Sequence, residues 1–217
     1  MQEAAGGGNK ALLELGGVSL FLHPLRRLLS SGLLDSLTLV HRPEDEPEII
    51  ASLKREGCFD RLALVPGGSE RFDSVYSGLQ SLSVNPPEIV LIHDSARPFL
   101  TERMIRESIE KARVHGASTV AVPLSDTLKR GAVGFLAETL PRENLYRIQT
   151  PQTFRFDPIW EAHQRFRENP DPTVTDDCML LEKEGRKIAL VLGDESNIKV
   201  TTPFDLQVAR AIVEEWN

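Results

Sequence analysis

The sequence predicts an α/β fold: a mostly parallel, twisted sheet with helices on both faces. Three observations lead there. Short apolar runs alternate with helical periods along most of the chain, the order that builds crossover units. One run, Ile89-Val90-Leu91-Ile92, is continuously apolar, as expected of a strand covered on both sides. The 217 residues, 41% hydrophobic and 26% charged, are enough for one sizeable core. That balance excludes disordered and collagen-like chains. No run approaches the ~20 apolar residues of a membrane span. The opening residues, Met1-Gln2-Glu3-Ala4-Ala5-Gly6, carry no apolar signal region. A cytoplasmic protein with no membrane partner is expected.

The elements follow in order. Leu37–Val40 reads as a strand and Glu44–Glu56 as a helix. Leu62–Val65 is a strand ended by Pro66-Gly67-Gly68. The next helix spans Arg71–Leu82, with Phe72, Val75, Tyr76 and Leu79 on one face. After the strand at Ile89–Ile92, Thr101 caps a helix running to His115, with Gly116 beyond its end. Thr119–Val122 is a further strand. From Asp126 to Gln149, glycines and short polar–apolar alternations predict a two-strand arm rather than another crossover. Asp157–Glu168 resumes helix, Thr175 caps a helix over Asp176–Glu184, and Ile188–Val191 is a last core strand. Thr202-Pro203 with Asp205 opens a final helix. Without a repeat or linker, residues 1–217 read as a single domain.

The net charge of −7 argues against a nucleic-acid binder held by a broad basic surface, while leaving room for a local basic pocket. The two cysteines, Cys58 and Cys178, and the five histidines have no metal-ligand spacing. A Gly-x-Ser-x-Gly nucleophile turn and a Gly-Lys-Ser/Thr phosphate loop are both missing, so hydrolase and P-loop chemistry drop out.

Ligands in such folds sit at the carboxyl ends of the strands. Asp94, in His93-Asp94-Ser95-Ala96-Arg97-Pro98, is placed there. It suits Mg²⁺, which favours one or two carboxylates plus substrate phosphates; equally, it suits a turn-forming pair with Arg97. Gly67 and Gly68 precede a helix whose free N–H groups and dipole favour an anion, with Ser69, Arg71 and Ser74 beside them. Lys10, Arg142 and Lys199 are basic residues next to turns and gain meaning only if they converge. The residues alone stop at an α/β protein handling a phosphorylated small molecule with Mg²⁺.

Taken together the segments resemble the 2-C-methyl-D-erythritol 4-phosphate cytidylyltransferase family. The resemblance is carried by Asn9–Leu13 with Gly16-Gly17, Gly67–Val75 with Gly78-Leu79, Ile92–Phe99, Asp126–Lys129, Arg142–Leu145, Gln149–Phe154, Thr175–Asp177, and Asn197–Pro203 with Asp205-Leu206. Eight motifs fall in one register from about Lys10 to the C-terminus. The resemblance implies a Rossmann-like nucleotidyltransferase that joins CTP to methylerythritol phosphate and releases pyrophosphate. It implies catalytic roles for Lys10 and Lys199, on the triphosphate and the α-phosphate. Gly67, Gly68, Ser69, Ser74, Asp94 and Ser95 are expected to bind nucleotide. Asp94, Arg97, Thr127, Arg142 and Thr175 are expected to bind the polyol phosphate, and Asp94 to hold Mg²⁺. Arg71 is expected to support the glycine loop. The arm at about 126–149 implies a homodimer that carries Arg142 to the neighbouring site.

The family pattern opens with a core strand ending in Ala-Ala-Gly-x-Gly-x-Arg-Met. Here Met1 matches the last of those residues and Gln2–Gly8 reads as the tail of a loop. The first strand and its phosphate-binding arginine are therefore expected to be missing, and CTP binding to be weak. Two alternatives remain: a cytidylyltransferase for another polyol phosphate such as ribitol 5-phosphate, or an impaired dimeric homologue lacking part of its CTP site.

Overall fold

The computed structural model describes residues 10–216, and the reading of Gln2–Gly8 lies outside them. A 3-10 turn at Lys10–Leu12 leads into a ribbon of β1 (Glu14–Leu15) and β2 (Val18–Ser19), which turns at Gly16 and Gly17 with positive φ. Then come α1 (Leu22–Ser30), β3 (Thr38–His41), α2 (Glu46–Arg55), β4 (Ala63–Pro66), α3 (Arg71–Leu82), β5 (Ile89–Ile92) and α4 (Glu102–His115). The second half holds β6 (Ala117–Pro123), β7 (Leu128–Ala132), β8 (Phe135–Leu140), β9 (Tyr146–Arg155), α5 (Phe156–Glu168), α6 (Asp177–Glu182), β10 (Ala189–Leu192) and α7 (Pro203–Trp216).

Two groups of strands form the central layer. One has the order β10-β6-β9-β5, and the other is the pair β3-β4. Hydrogen bonding is parallel in β3–β4 and β10–β6. β9 runs antiparallel to both its neighbours, so β5, β6 and β10 share one direction. β3 and β4 share it too. Arg71, just beyond β4, ion-pairs with Asp94, just beyond β5, so both carboxyl ends lie on the same rim. Five strands thus point one way, as the alternating runs predict, with β9 inserted in reverse.

Helices cover both faces. On one, α1 and α2 pack Leu25 and Leu53 against Leu39, and α4 packs Ile105 and Ile109 against Val120 and Leu91. On the other, α3 and α5 bring Leu79 and Ile159 to Val90 and Phe154. Local chemistry sets the ends. The Thr101 side chain accepts the Met104 N–H at 3.2 Å and opens α4. Gly116 closes it in the left-handed region, at φ 88°. Thr202 accepts the Asp205 N–H at 3.1 Å beside Pro203 in the first turn of α7.

Three expectations are corrected. Asp176, not Thr175, caps α6, accepting the Met179 N–H at 3.0 Å, because Asp176 occupies the N-cap position directly before the first helical residue, in extended backbone. The arm is the β7–β8 hairpin, turning at Gly134 with φ 83°. Residues 146–149 belong instead to β9, a central strand that the motif reading left unassigned. Its buried Gln149, Thr150, Gln152 and Thr153, with Pro151 between them, break the apolar signature of a core strand.

Thr101→Ala removes one capping bond in a well-packed helix and is expected to cost about 1 kcal/mol in urea unfolding. A melt indistinguishable from that of the parent chain would show that the cap contributes nothing.

Candidate active site

The carboxyl ends of β5 and β4 meet at Asp94. Its Oδ1 accepts from Arg71 Nε at 3.2 Å, and its Oδ2 lies 2.9 Å from Lys199 Nζ and 3.7 Å from Arg97 Nε. Burial alone would raise the Asp94 pKa. The charges of Arg71 and Lys199 overcome it and hold the carboxyl at about 2. Lys10 Nζ donates to the carbonyl of Thr201, two residues beyond Lys199. Lys10 thus reaches the loop that carries Lys199, and Lys199 in turn pairs with Asp94.

Each group is held by its own local structure. Asp94 N–H donates to Thr150 Oγ1 at 3.1 Å. That hydroxyl lies 3.0 Å from His93 Nδ1, and His93 Nε2 lies 3.1 Å from the Arg97 carbonyl. Burial lowers the His93 pKa to about 4, so the ring is neutral. Nε2–H then donates to the carbonyl and Nδ1 accepts from the hydroxyl. Arg97 itself is spent on structure: Nη1 donates to the Asn197 carbonyl at 2.8 Å and Nη2 to the Ile148 carbonyl at 3.3 Å. Asn197 is fully buried and donates from Nδ2 to Gln149 Oε1 and the Thr150 carbonyl, fixing the loop that carries Lys199.

The glycine loop lies at the end of β4. Gly67 N–H donates to the His41 carbonyl at 2.7 Å. A Cβ at Gly68 would stand only 2.2 Å from the Asp73 Cβ, and one at Gly67 2.7 Å from Ser74 Oγ, so a side chain at either position would force its neighbour to shift. Glu70 and Asp73 form a capping box at the start of α3, and Ser69 Oγ donates to Asp73 Oδ2 at 3.2 Å. Ser74 Oγ donates to the Glu70 carbonyl. Ser74, Arg71, Asp94 and Ser95 line one cleft of about 540 Å³.

Arg71 does more than support the glycine loop. Its Nη2 donates to Asp177 Oδ2 at 2.6 Å, while Asp177 Oδ1 lies 3.0 Å from His163 Nε2. Asp177 is fully buried. Burial would raise its pKa, but the His163 hydrogen bond and the Arg71 charge bring it below the ordinary value. Asp177 stood in the Thr175–Asp177 motif without a role. Two adjacent acids at a helix start were its signal, one capping outward and one turned in. His163, on α5, gave no signal at all.

Thr175 lies two residues before Asp177, exposed, on the loop opening α6. Thr127 and Arg142 are exposed at the arm, where Arg142 Nη1 donates to the Ser125 carbonyl at 2.5 Å. Neither has a described contact with the Asp94 rim. Among the described residues, no group of three or more His, Cys, Asp or Glu side chains could hold a metal ion by itself, and no helix is long and apolar enough to cross a membrane.

A family model described as 2-C-methyl-D-erythritol 4-phosphate cytidylyltransferase matches residues 2–215. A curated protein of that name from Pelotomaculum thermopropionicum is 42% identical over 94% of this chain and 86% of its own length. One from Bacillus licheniformis is 38% identical over 96% and 89%. The crystal structure of 4-diphosphocytidyl-2C-methyl-D-erythritol synthase from Anaerococcus prevotii superposes with a TM-score of 0.86 at 31% identity, covering 97% of this chain and 92% of that one.

Asp177→Asn leaves Arg71 and His163 without their shared charge and is expected to cost about 2–4 kcal/mol at neutral pH. A carboxyl with a depressed folded pKa stabilises above its unfolded value, near 3.9, and that contribution fades as pH falls further. The gap between parent and variant in urea melts should therefore narrow below about pH 4. A gap that is constant with pH would refute the ionised role.

Proposed function

The chain belongs to the 2-C-methyl-D-erythritol 4-phosphate cytidylyltransferase family, and on that premise we propose that it transfers CMP from CTP to 2-C-methyl-D-erythritol 4-phosphate in isoprenoid precursor synthesis. One observation carries the reading: Lys199 and Asp94 pair at 2.9 Å on the rim that also receives Lys10, where cations outnumber acids. A phosphate oxygen of the polyol substrate attacks the α-phosphorus of CTP in line. The new P–O bond forms as the α–β bridge breaks and pyrophosphate leaves. No protein nucleophile is needed, so catalysis consists of positioning and charge neutralisation.

In this proposal Lys199 moves from Asp94 to the α-phosphate, and Lys10 takes the β- and γ-phosphates. Gly67, Gly68, Ser69 and Ser74 wall the cytosine, where the absent side chains leave room for one ring. Ser95 borders the ribose. Thr175 and the arm residues Thr127 and Arg142 hold the methylerythritol phosphate, with Arg97 fixing the Asp94 loop behind them. A hard carboxylate beside phosphates suits Mg²⁺, a cation that favours one or two carboxylates together with substrate phosphates. Asp94, ionised down to about pH 2, is the residue that would hold it, and the ion supplies neutralisation of the phosphates.

Arg142 is exposed and donates to the Ser125 carbonyl rather than to the rim, and the arm exposes Val133, Phe135 and Leu136. An exposed apolar patch of this kind supports a homodimer in which the arm carries Arg142 to the neighbour's site. In this proposal the enzyme acts in the cytoplasm, a compartment that suits soluble phosphorylated substrates.

Lys199→Ala should lower kcat about 10²- to 10³-fold in a pyrophosphate-release assay with CTP, Mg²⁺ and methylerythritol phosphate. An unchanged rate would remove Lys199 from the mechanism, and faster turnover of ribitol 5-phosphate would reassign the acceptor. Mixing Lys199→Ala with Arg142→Ala tests the arm. Random exchange puts one intact site in each mixed dimer, so activity should recover to about a quarter of the parent's. No recovery would place Arg142 in its own protomer's site.

A further inference from the structure

We propose, on the functional reading in which Thr175 holds the methylerythritol phosphate, that His163 positions the acceptor half of the site by fixing, through Asp177, the turn that presents Thr175. His163 is 1% exposed on α5, and no step of the transfer uses it. A carboxylate oxygen only accepts, so the 3.0 Å contact with Asp177 Oδ1 is a donation from His163 Nε2–H. The ring is held beside α3. Its centroid lies 5.9 Å from that of Phe72, which in turn lies 4.7 Å from that of Phe166. Helix α5 therefore delivers one donor, from a ring with little room to turn, to one buried acid.

Asp177 is where the anchors of that turn meet. Gln152 on β9 accepts its N–H at 3.2 Å and donates to the preceding Asp176 at 2.7 Å, which ties the turn to the sheet. The Asp177 carboxylate then fixes how the turn is rotated about that tie, because its two oxygens reach different helices: Oδ1 meets His163 on α5, and Oδ2 meets Arg71 on α3 at 2.6 Å. Thr175 has no comparable hold of its own. It is exposed, and the described partner of its Oγ1 is the Met179 Sδ at 4.0 Å. Its place follows from residues 176 and 177. Without the His163 donor, Oδ1 is buried and unpaired, and the cost of a buried unpaired acceptor drives the turn to shift. Arg71 keeps its second acid, Asp94 at 3.2 Å, so the nucleotide half of the site is spared.

Variants at position 163 test this in the pyrophosphate-release assay, with CTP and methylerythritol phosphate varied separately. His163→Met removes the donor but keeps a side chain of similar length. Its KM for the acceptor should rise about tenfold, with KM for CTP and kcat within about twofold of the parent. His163→Gln returns an N–H near the place of Nε2 and should restore the acceptor KM. His163→Asn keeps an amide too short to reach Asp177 and should behave as His163→Met does, so it serves in place of a methionine variant that does not fold. Combining His163→Met with Thr175→Ala should raise the acceptor KM no further than Thr175→Ala alone, since both act through one hydroxyl. A purely structural histidine would lower the melting temperature and move both KM values together or neither. An active parent whose acceptor KM is unchanged in the donorless variants, rises only in step with that for CTP, or is not restored by glutamine overturns the positioning role alone. A parent inactive with CTP and methylerythritol phosphate overturns the functional reading, and this role with it.

Discussion

One carboxylate shared by three cations organises this molecule. Asp94 brings Arg71, Arg97 and Lys199 within ion-pair reach, and without it those charges would repel across a half-buried rim. With it they stay close, still carrying more positive than negative charge. Such a rim is poised for a polyanion, because a phosphate offers a cation the same oxygen chemistry that Asp94 does. Lys199 has the greater freedom to exchange one for the other. Its side chain is 39% exposed, while Arg97 is tied to two backbone carbonyls. The anchor and the movable cation are thus separated by their surroundings rather than by their type.

Strand β9 is what holds these loops in place. Thr150 takes the Asp94 N–H and meets the His93 ring. Gln149 donates to the Asp194 carbonyl and accepts from Asn197, at either end of the turn before Lys199. Gln152 donates to Asp176 and accepts the Asp177 N–H. Three loops from distant parts of the chain are positioned by three polar side chains of one buried strand. Those three side chains are hydrogen-bonded, which helps so polar a strand sit in a core, while the buried Thr153 Oγ1 on the same strand has no hydrogen-bond partner.

This division of labour explains what could be read from sequence. Strands whose side chains serve the core, such as Ile89–Ile92, announce themselves by apolar runs, and α4 by its Thr101 and Gly116 ends. Asp94 and the Gly67-Gly68 loop were legible because carboxyl ends of strands and glycine turns are local features. β9 was not, because its residues serve loops and its pattern is neither alternating nor apolar. α1 also went unread, with Pro24 inside its first turn and apolar residues on a short period. Asp177 and His163 escaped because their partnership joins α6 to α5, and spacing carries no record of it.

Arg71 shows why the rim and the sheet are one problem. It stands at the start of α3, which follows β4, while both of its carboxylate partners, Asp94 and Asp177, belong to the β5–β9–β6–β10 side. Its guanidinium therefore ties the two groups of strands together where their carboxyl ends meet. Two carboxylates, one wholly buried, hold it charged against the cost of burial. A planar fork can face two acids at once and a lysine cannot, so the position calls for arginine. The glycine loop on one side and the Lys199 loop on the other are set at a fixed separation by that single side chain. In the proposed mechanism a triphosphate between those loops would meet a rim already held by ion pairs, which is the preorganisation that electrostatic catalysis needs.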